Sequence, residues 1–305
     1  MKHIKIANSD LNASEISLGC MRISDLTNQE ISNLIHTALD EGINFFDHAD
    51  VYGGGKSEEK FSKALGMNPG LRDQMLIQTK CGIRKGSFDF SKEHILQAVD
   101  GSLKRLRTDY LDVLLLHRPD ALVEPEEVAE AFTILQNSGK VKYFGVSNQN
   151  PMQIELLSKF LKQKILINQL QFSITNTGMI DAGINVNMEI NPSINRDGSI
   201  LDYCRLKDIT IQPWSPFQFG FFEGVFLDNE KFPELNQKIN EIAATKGVSN
   251  TAIAIAWILR HPARMQPIVG TTNPGRLKDI CKASEVTLTR SEWYEVYRAA
   301  GNKLP

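Results

Sequence analysis

Met75-Leu-Ile-Gln-Thr-Lys80, Asp112-Val-Leu-Leu-Leu-His117 and Lys142-Tyr-Phe-Gly-Val146, with the stretches Lys92 to Arg107 and Pro125 to Ser138 between them, decide the fold. The three short runs are apolar and too brief for helices, so they read as buried strands. The two stretches between them repeat their apolar residues every three or four positions, the pattern of a helix buried along one face. The same alternation extends in both directions. Ile16 to Gly19 and Ile43 to Asp47 are strand candidates upstream; Ile167 to Gln171, Ile209 to Trp214 and Gln266 to Val269 follow downstream. Asn28 to Glu41, Pro151 to Leu161, Pro233 to Lys246 and Asn250 to Arg260 carry the helical period. Thr27 and Glu30 form a capping-box pattern at one helix start, and Gly42 and Gly139 stand where two helices stop. Eight alternations over about 250 residues is the arithmetic of a (β/α)8, or TIM, barrel. A doubly wound open sheet shares that alternation and remains the competitor.

No Gly/Ser/Pro-rich linker divides the 305 residues, so they read as a single domain. Within residues 1–305, Met1 to Glu15 predicts a small hairpin plugging the barrel bottom, and Ser291 to Pro305 a terminal helix and tail. Two connections, Phe172 to Ser199 and Phe217 to Lys231, are longer than a barrel requires. The second is rich in Phe and Gly, which suits a loop closing over a flat ligand.

Charge and composition exclude several classes. The 34 Lys and Arg balance 36 Asp and Glu to a net −2, so there is no basic excess for nucleic acid. Cys20, Cys81, Cys204 and Cys281 contain no CxxC pair or zinc spacing, consistent with a reduced cytosolic setting. Met1 to Asp10 lacks the apolar core of a secretory signal, and the longest apolar run, Ala252 to Leu259, is too short to span a bilayer. The expectation is a soluble cytoplasmic protein with no membrane or nucleic-acid partner. Its oligomeric state is left open, a monomer being compatible with the sequence.

In a barrel, reactive side chains belong at the C-terminal ends of the strands and just beyond. Those places hold Asp47, His48, Asp50, Tyr52, Lys80, His117, Ser147 and Asn148. The set supports proton transfer through Tyr52. An unperturbed tyrosine titrates near about 10, and an ammonium from Lys80, held by Asp47, is expected to lower that value. Tyr52 would then act as general acid on a carbonyl oxygen that His117 positions. Hydride must come from elsewhere, which implies a nicotinamide cofactor. Gly53-Gly-Gly-Lys-Ser57 is not a phosphate loop, because Asp50 stands where a P-loop needs its first Gly. The glycines read as a tight turn presenting Tyr52. No GxGxxG occurs.

Gly42-Ile-Asn-Phe-Phe-Asp-His-Ala-Asp-Val-Tyr-Gly-Gly-Gly-Lys-Ser-Glu58 resembles the first signature of the aldo-keto reductase superfamily, and Leu103 to Asp120 the second. Gly139 to Asn148, Trp214-Ser-Pro216 and Ile268 to Leu277 match further segments in the family's order. The resemblance implies a TIM-barrel, NADPH-dependent reductase of aldehydes or ketones, with a small-molecule carbonyl substrate and a tetrad of Asp47, Tyr52, Lys80 and His117. It also implies that Ser147, Asn148 and Gln169 grip the nicotinamide carboxamide and that Trp214 stacks on its ring. Ser215, Phe217, Gly270, Thr271, Thr272 and Arg276 match phosphate contacts, with Asp279 near the adenine. Arg276 favours NADPH, since a guanidinium fork can hold a 2′-phosphate. Departures from the family pattern are His48 for the usual Thr, Ile280 for a common Asn, and Trp214 for Tyr or Phe.

Met21, Arg22 and His48 are the expected substrate-pocket residues, Arg22 being suited to attract an anionic group. His48 could equally pack at the barrel rim. Two other readings compete: a cofactor-binding regulatory barrel with little turnover, and a metal-dependent hydrolase using Asp47, His48, Asp50 and His117. The second lacks the HxH pair such a site needs, so no metal is expected.

Overall fold

A computed structural model describes residues 1–305. Eight parallel strands pair in chain order into a nearly closed barrel: β1 (Ser17–Gly19), β2 (Phe45–Asp47), β3 (Leu76–Cys81), β4 (Leu111–Leu116), β5 (Val141–Ser147), β6 (Ile165–Gln171), β7 (Thr210–Trp214) and β8 (Ile268–Val269). β8 pairs with β1, and at the seam between β7 and β8 the Gln266 N–H donates to the Ile211 carbonyl at 3.0 Å. The open-sheet alternative is thereby excluded, and each expected strand lies in the barrel. The reason is compositional: β4 is buried at all six positions, as a parallel strand covered on both faces must be.

The six expected helices form with boundaries within one residue at either end, and Thr27 and Glu30 make the reciprocal cap. Other helices escaped the periodicity. Lys56–Leu65 buries Ser57, Glu58 and Ser62 beside Phe61, so its inward face is mostly polar and shows no apolar repeat. Gly178–Ile184 lies in the long Phe172 to Ser199 connection, followed by Ile200–Leu206, and Pro274–Cys281 follows β8. The Phe217 to Lys231 connection folds as a small hairpin, Gln218–Phe219 against Gly224–Val225. At the carboxyl end Arg290–Ala299 is helical. No single helix is long and apolar enough to cross a membrane.

Inside the barrel the side chains change character with height. At the bottom, Phe45, Val113 and Leu115 meet Ile6, Leu11 and Ala13 of the N-terminal hairpin, whose strands are His3–Lys5 and Asn12–Ser14. β5 approaches its neighbours so closely at Gly145 that a Cβ would come within 2.6 Å of Leu115 and 2.7 Å of the Ile167 carbonyl oxygen. Above this apolar floor, alternation along the strands points Gln78, Gln169, Gln212 and Gln266 inward, all buried. Higher still come Asp47 and Lys80. The barrel therefore carries a dry floor, an amide layer and an ionisable mouth.

Candidate active site

Lys80 is fully buried, and its Nζ satisfies all three donors: the Asp47 carboxylate at 2.8 Å, the His48 carbonyl at 2.8 Å and the Tyr52 hydroxyl at 3.1 Å. Tyr52 reaches it because Gly53 and Gly54 take left-handed φ of 59° and 65° immediately after it. At Gly53 a Cβ would also stand 2.8 Å from Ser24, so no other residue fits that turn without displacement. The His117 ring sits edge-on to the Tyr52 ring, with centroids 6.0 Å apart. The structure thus brings Asp47, Tyr52, Lys80 and His117 together from the ends of three successive strands and the turn after the first of them.

Electrostatics corrects one expectation. Burial raises the Tyr52 phenol above its ordinary value and outweighs the lowering by Lys80, so the hydroxyl keeps its proton at neutral pH. For Lys80, burial works against the charge, but Asp47 and Tyr52 together outweigh it and the ammonium is held above its usual range. His117 is pushed well below the ordinary histidine value, by burial first and then by Lys80 and Arg118. It is a neutral imidazole.

Beneath the tetrad, the amide layer forms a chain of hydrogen bonds. Gln78 and Gln169 both donate to Asp47 Oδ1, at 2.6 and 3.0 Å, and both donate to Gln212 Oε1, at 2.8 and 3.2 Å. Gln212 donates to Gln266 at 2.8 Å, and Gln266 to the Ser14 carbonyl at 2.7 Å. A carboxylate only accepts, so the orientation of each amide follows from the ends of the chain. The ion pair is thus tied to the N-terminal hairpin 33 residues upstream of Asp47, at Ser14.

A cavity of about 770 Å³ opens above Tyr52, lined by Asp47, Tyr52 and His117, with Lys80 just below its wall. Ser147, Asn148, Gln169, Trp214, Ser215, Phe217, Gly270, Thr271, Arg276 and Asp279 line it as well, as do Met21 and Arg22. Asn148 and Ser215 hold left-handed backbone, φ 58° and 54°, a strained conformation that clusters at binding sites. The Asn148 amide is already engaged on both ends, accepting from Trp214 Nε1 at 3.0 Å and donating to Ser147 Oγ at 2.7 Å.

Two expected residues lie elsewhere. His48 is fully buried with its ring edge-on to Phe61 at 4.6 Å, both nitrogens unpartnered, and burial depresses its value to about 3. The period of two explains this: Asp47 faces the barrel interior, so His48 faces the helix layer. This position also takes it out of any shared ligand set with Asp47, Asp50 and His117. Thr272 does not line the cavity, because the chain turns there toward the Asn273 cap of Pro274–Cys281. The Ile280 side chain is core. Sequence reasoning missed Arg118, Phe222, Asn250, Asn273 and Gly275, which line the cavity. Asn273 is legible afterwards as a cap before Pro274; Arg118 had only its place beside His117.

Asp50 lies behind the tyrosine turn. Its carboxyl is pushed up to about 7 from 3.8, by burial and then by Glu58, and its Oδ1 has no partner. Glu58 itself is held by Thr79 at 2.6 Å and Arg105 at 2.7 Å. A carboxyl raised on folding binds more protons folded than unfolded between those two values, so its contribution to stability falls as pH rises from 3.8 to about 7. Asp50→Asn is therefore expected to flatten that decline in urea-unfolding midpoints taken at intervals across this window. Parallel curves for wild type and variant would remove Asp50 as its source.

The site is thus a buried Lys–Asp pair against a phenol, at the top of a parallel barrel and under a long cavity. A model of the Aldo/keto reductase family matches residues 15–300. The chain belongs to that family, and is an oxidoreductase acting on carbonyl compounds with a nicotinamide cofactor. It is 36% identical to an uncharacterized oxidoreductase, YcsN, of Bacillus subtilis, covering 100% of both chains. It is 35% identical to the 6-dehydroglucose reductase of Agrobacterium fabrum, over 98% of each. Among solved structures, the thermostable aldo-keto reductase Tm1743 in complex with the inhibitor epalrestat superposes with a TM-score of 0.79 at 25% identity, covering 98% of this chain and 100% of that one.

Proposed function

We propose that this protein is an NADPH-dependent reductase of aldehydes or ketones to alcohols, with Tyr52 as general acid. The observation that carries the reading is the Lys80 ammonium 3.1 Å from the Tyr52 hydroxyl, beneath a cavity whose wall also includes Arg276.

The donor set fits a nicotinamide dinucleotide. Gln169 has its amide nitrogen committed to Asp47 and Gln212, which leaves its carbonyl oxygen, free of any protein partner, to accept from a carboxamide. Ser147 and Asn148 flank it, and the Trp214 ring, itself stacked on Phe222 at 5.9 Å, stands on the same wall. Ser215, Phe217, Gly270, Thr271 and Arg276 would hold phosphates, with Asp279 toward the adenosine; Gly270 to Arg276 enclose the start of the helix Pro274–Cys281, a favourable end for anions. Bound NADPH supplies the hydride that no side chain can.

The remaining steps belong to the protein. His117, neutral, donates a hydrogen bond to the carbonyl oxygen and polarises it. Tyr52 gives its phenolic proton to that oxygen as it becomes an alkoxide. Lys80 stabilises the phenolate left behind, Asp47 keeps Lys80 in place, and solvent returns the proton to Tyr52. NADPH oxidation across a panel of aldehydes, ketones and quinones, with NADH as control, tests the reading. Tight NADPH binding without turnover on any of them would favour a regulatory barrel instead.

Arg276→Ala is expected to raise KM for NADPH about tenfold, the scale of a charge-assisted contact at an exposed site, with little change for NADH. Equal effects on both dinucleotides would show that Arg276 does not read the 2′-phosphate.

A further inference from the structure

Arg118 follows His117 directly, and carbonyl reduction as described gives it no task. It is half-buried and lines the cavity beside His117. Its guanidinium carbon lies 5.5 Å from the centre of the Trp214 ring and 6.0 Å from that of Phe221. No carboxylate pairs with it, and none of its N–H donors has a protein acceptor.

The other arginines withdrawn from water in this fold are treated differently. Arg72, nearly fully buried, donates to Asp112 at 2.7 Å and to three further oxygens. Arg105 donates to Glu58 at 2.7 Å. A guanidinium carries five donors and always its charge, so partial burial without an acceptor is costly. The Trp214 and Phe221 rings attract its charge but take no conventional hydrogen bond, so its donors stay open.

The acidic groups on the cavity wall do not serve it. Asp47 is consumed by Lys80, Asp279 pairs with Lys282, and Asp228 accepts from Asn250. Burial depresses Arg118 and the only group acting the other way is Tyr52, which places the guanidinium within electrostatic reach of the reacting phenol. Of the phosphate-binding candidates, Gly270, Thr271 and Arg276 belong to the loop and helix start after β8, while Ser215 and Phe217 follow Trp214 directly, so the test below separates substrate preference from NADPH affinity. Arg22, on the turn Met21–Asp25, lines the same cavity without an ion pair, but it is exposed and water screens it.

We propose that Arg118 is the specificity-determining residue of this site and recognises a carboxylate on the carbonyl substrate, so that oxo- and formyl-acids are reduced in preference to neutral carbonyls. This rests on the reading of the cavity as a reductase site. Two bonds from a planar fork to a carboxylate orient the substrate as well as attract it, a role that Lys fills only in part.

A matched pair of aldehydes tests this: 4-formylbenzoate and 4-formylbenzamide share ring and length and differ in charge. Wild-type enzyme with NADPH is expected to prefer the acid about tenfold in kcat/KM, chiefly through KM. Arg118→Met, which keeps the packing length, is expected to lose most of that preference, and Arg118→Lys to keep part of it. An unchanged preference in Arg118→Met, or an equal loss on both aldehydes, overturns the proposal, as does a loss confined to NADPH affinity. Binding of benzoate and benzamide to the NADP⁺-loaded protein, read by tryptophan fluorescence, gives a second measure that needs no turnover. Tighter benzoate binding in wild type than in Arg118→Met supports the carboxylate site even if neither aldehyde is reduced; equal benzoate binding in both removes it.

Discussion

Tyr52→Phe is expected to lower kcat for carbonyl reduction by about 10²- to 10⁴-fold, the range for loss of a positioned acid, while NADPH still binds. The substitution removes one oxygen. The ring keeps its edge contact with His117, and Lys80 keeps Asp47 and the His48 carbonyl, so the fold has no reason to change. A pH profile adds a second reading. The phenol is held above its usual range and His117 well below its own, so neither changes protonation between about pH 6 and 8. Wild-type reduction is expected to show no histidine or tyrosine inflection across that interval, Asp50 being the one group named above that titrates within it. Turnover of Tyr52→Phe within tenfold of wild type would take the proton-donor role away from this residue.

Lys80→Met carries the second large effect, and it acts on two quantities at once. Removing one member of a buried ion pair leaves the other charged and uncompensated, at a cost of about 3–5 kcal/mol. Asp47 would keep its bonds from Gln78 and Gln169 but lose the ammonium they were built around. Turnover is expected to fall about 10²- to 10³-fold, because nothing then stabilises the phenolate as the proton leaves. The double variant Asp47→Leu, Lys80→Met separates the two effects. Urea unfolding should show stability largely regained, while activity stays low. Recovery of activity with stability would mean that the pair is structural and that Tyr52 works without it.

The barrel was legible because its strands are buried on both faces and its helices on one, so the apolar pattern changes period at every crossing. Where a segment buries polar groups the pattern is silent: the helix carrying Glu58 and Ser62 went unread for that reason. Of the proposed tetrad, Asp47, Lys80 and His117 were legible as ionisable residues standing where an apolar strand ends, and Tyr52 as the residue before a glycine turn. His48 belonged to the same run of sequence as Asp47, and a one-residue step placed it on the opposite face of the strand.

The direction of the Tyr52 shift was not legible, since it depends on how much water the fold removes from the phenol rather than on which cation stands near it. Nor was Arg118, whose meaning lies in the acceptors it does not have.

Local sequence thus determined the architecture and picked out the side chains that meet at the barrel mouth, because both are written in residue type and short-range spacing. The glutamine chain from Asp47 through Gln78, Gln169, Gln212 and Gln266 to Ser14 was decided only by tertiary structure. Its members come from six separate segments, each unremarkable alone, and they meet because closing the barrel turns every second side chain toward a common axis where water cannot satisfy them.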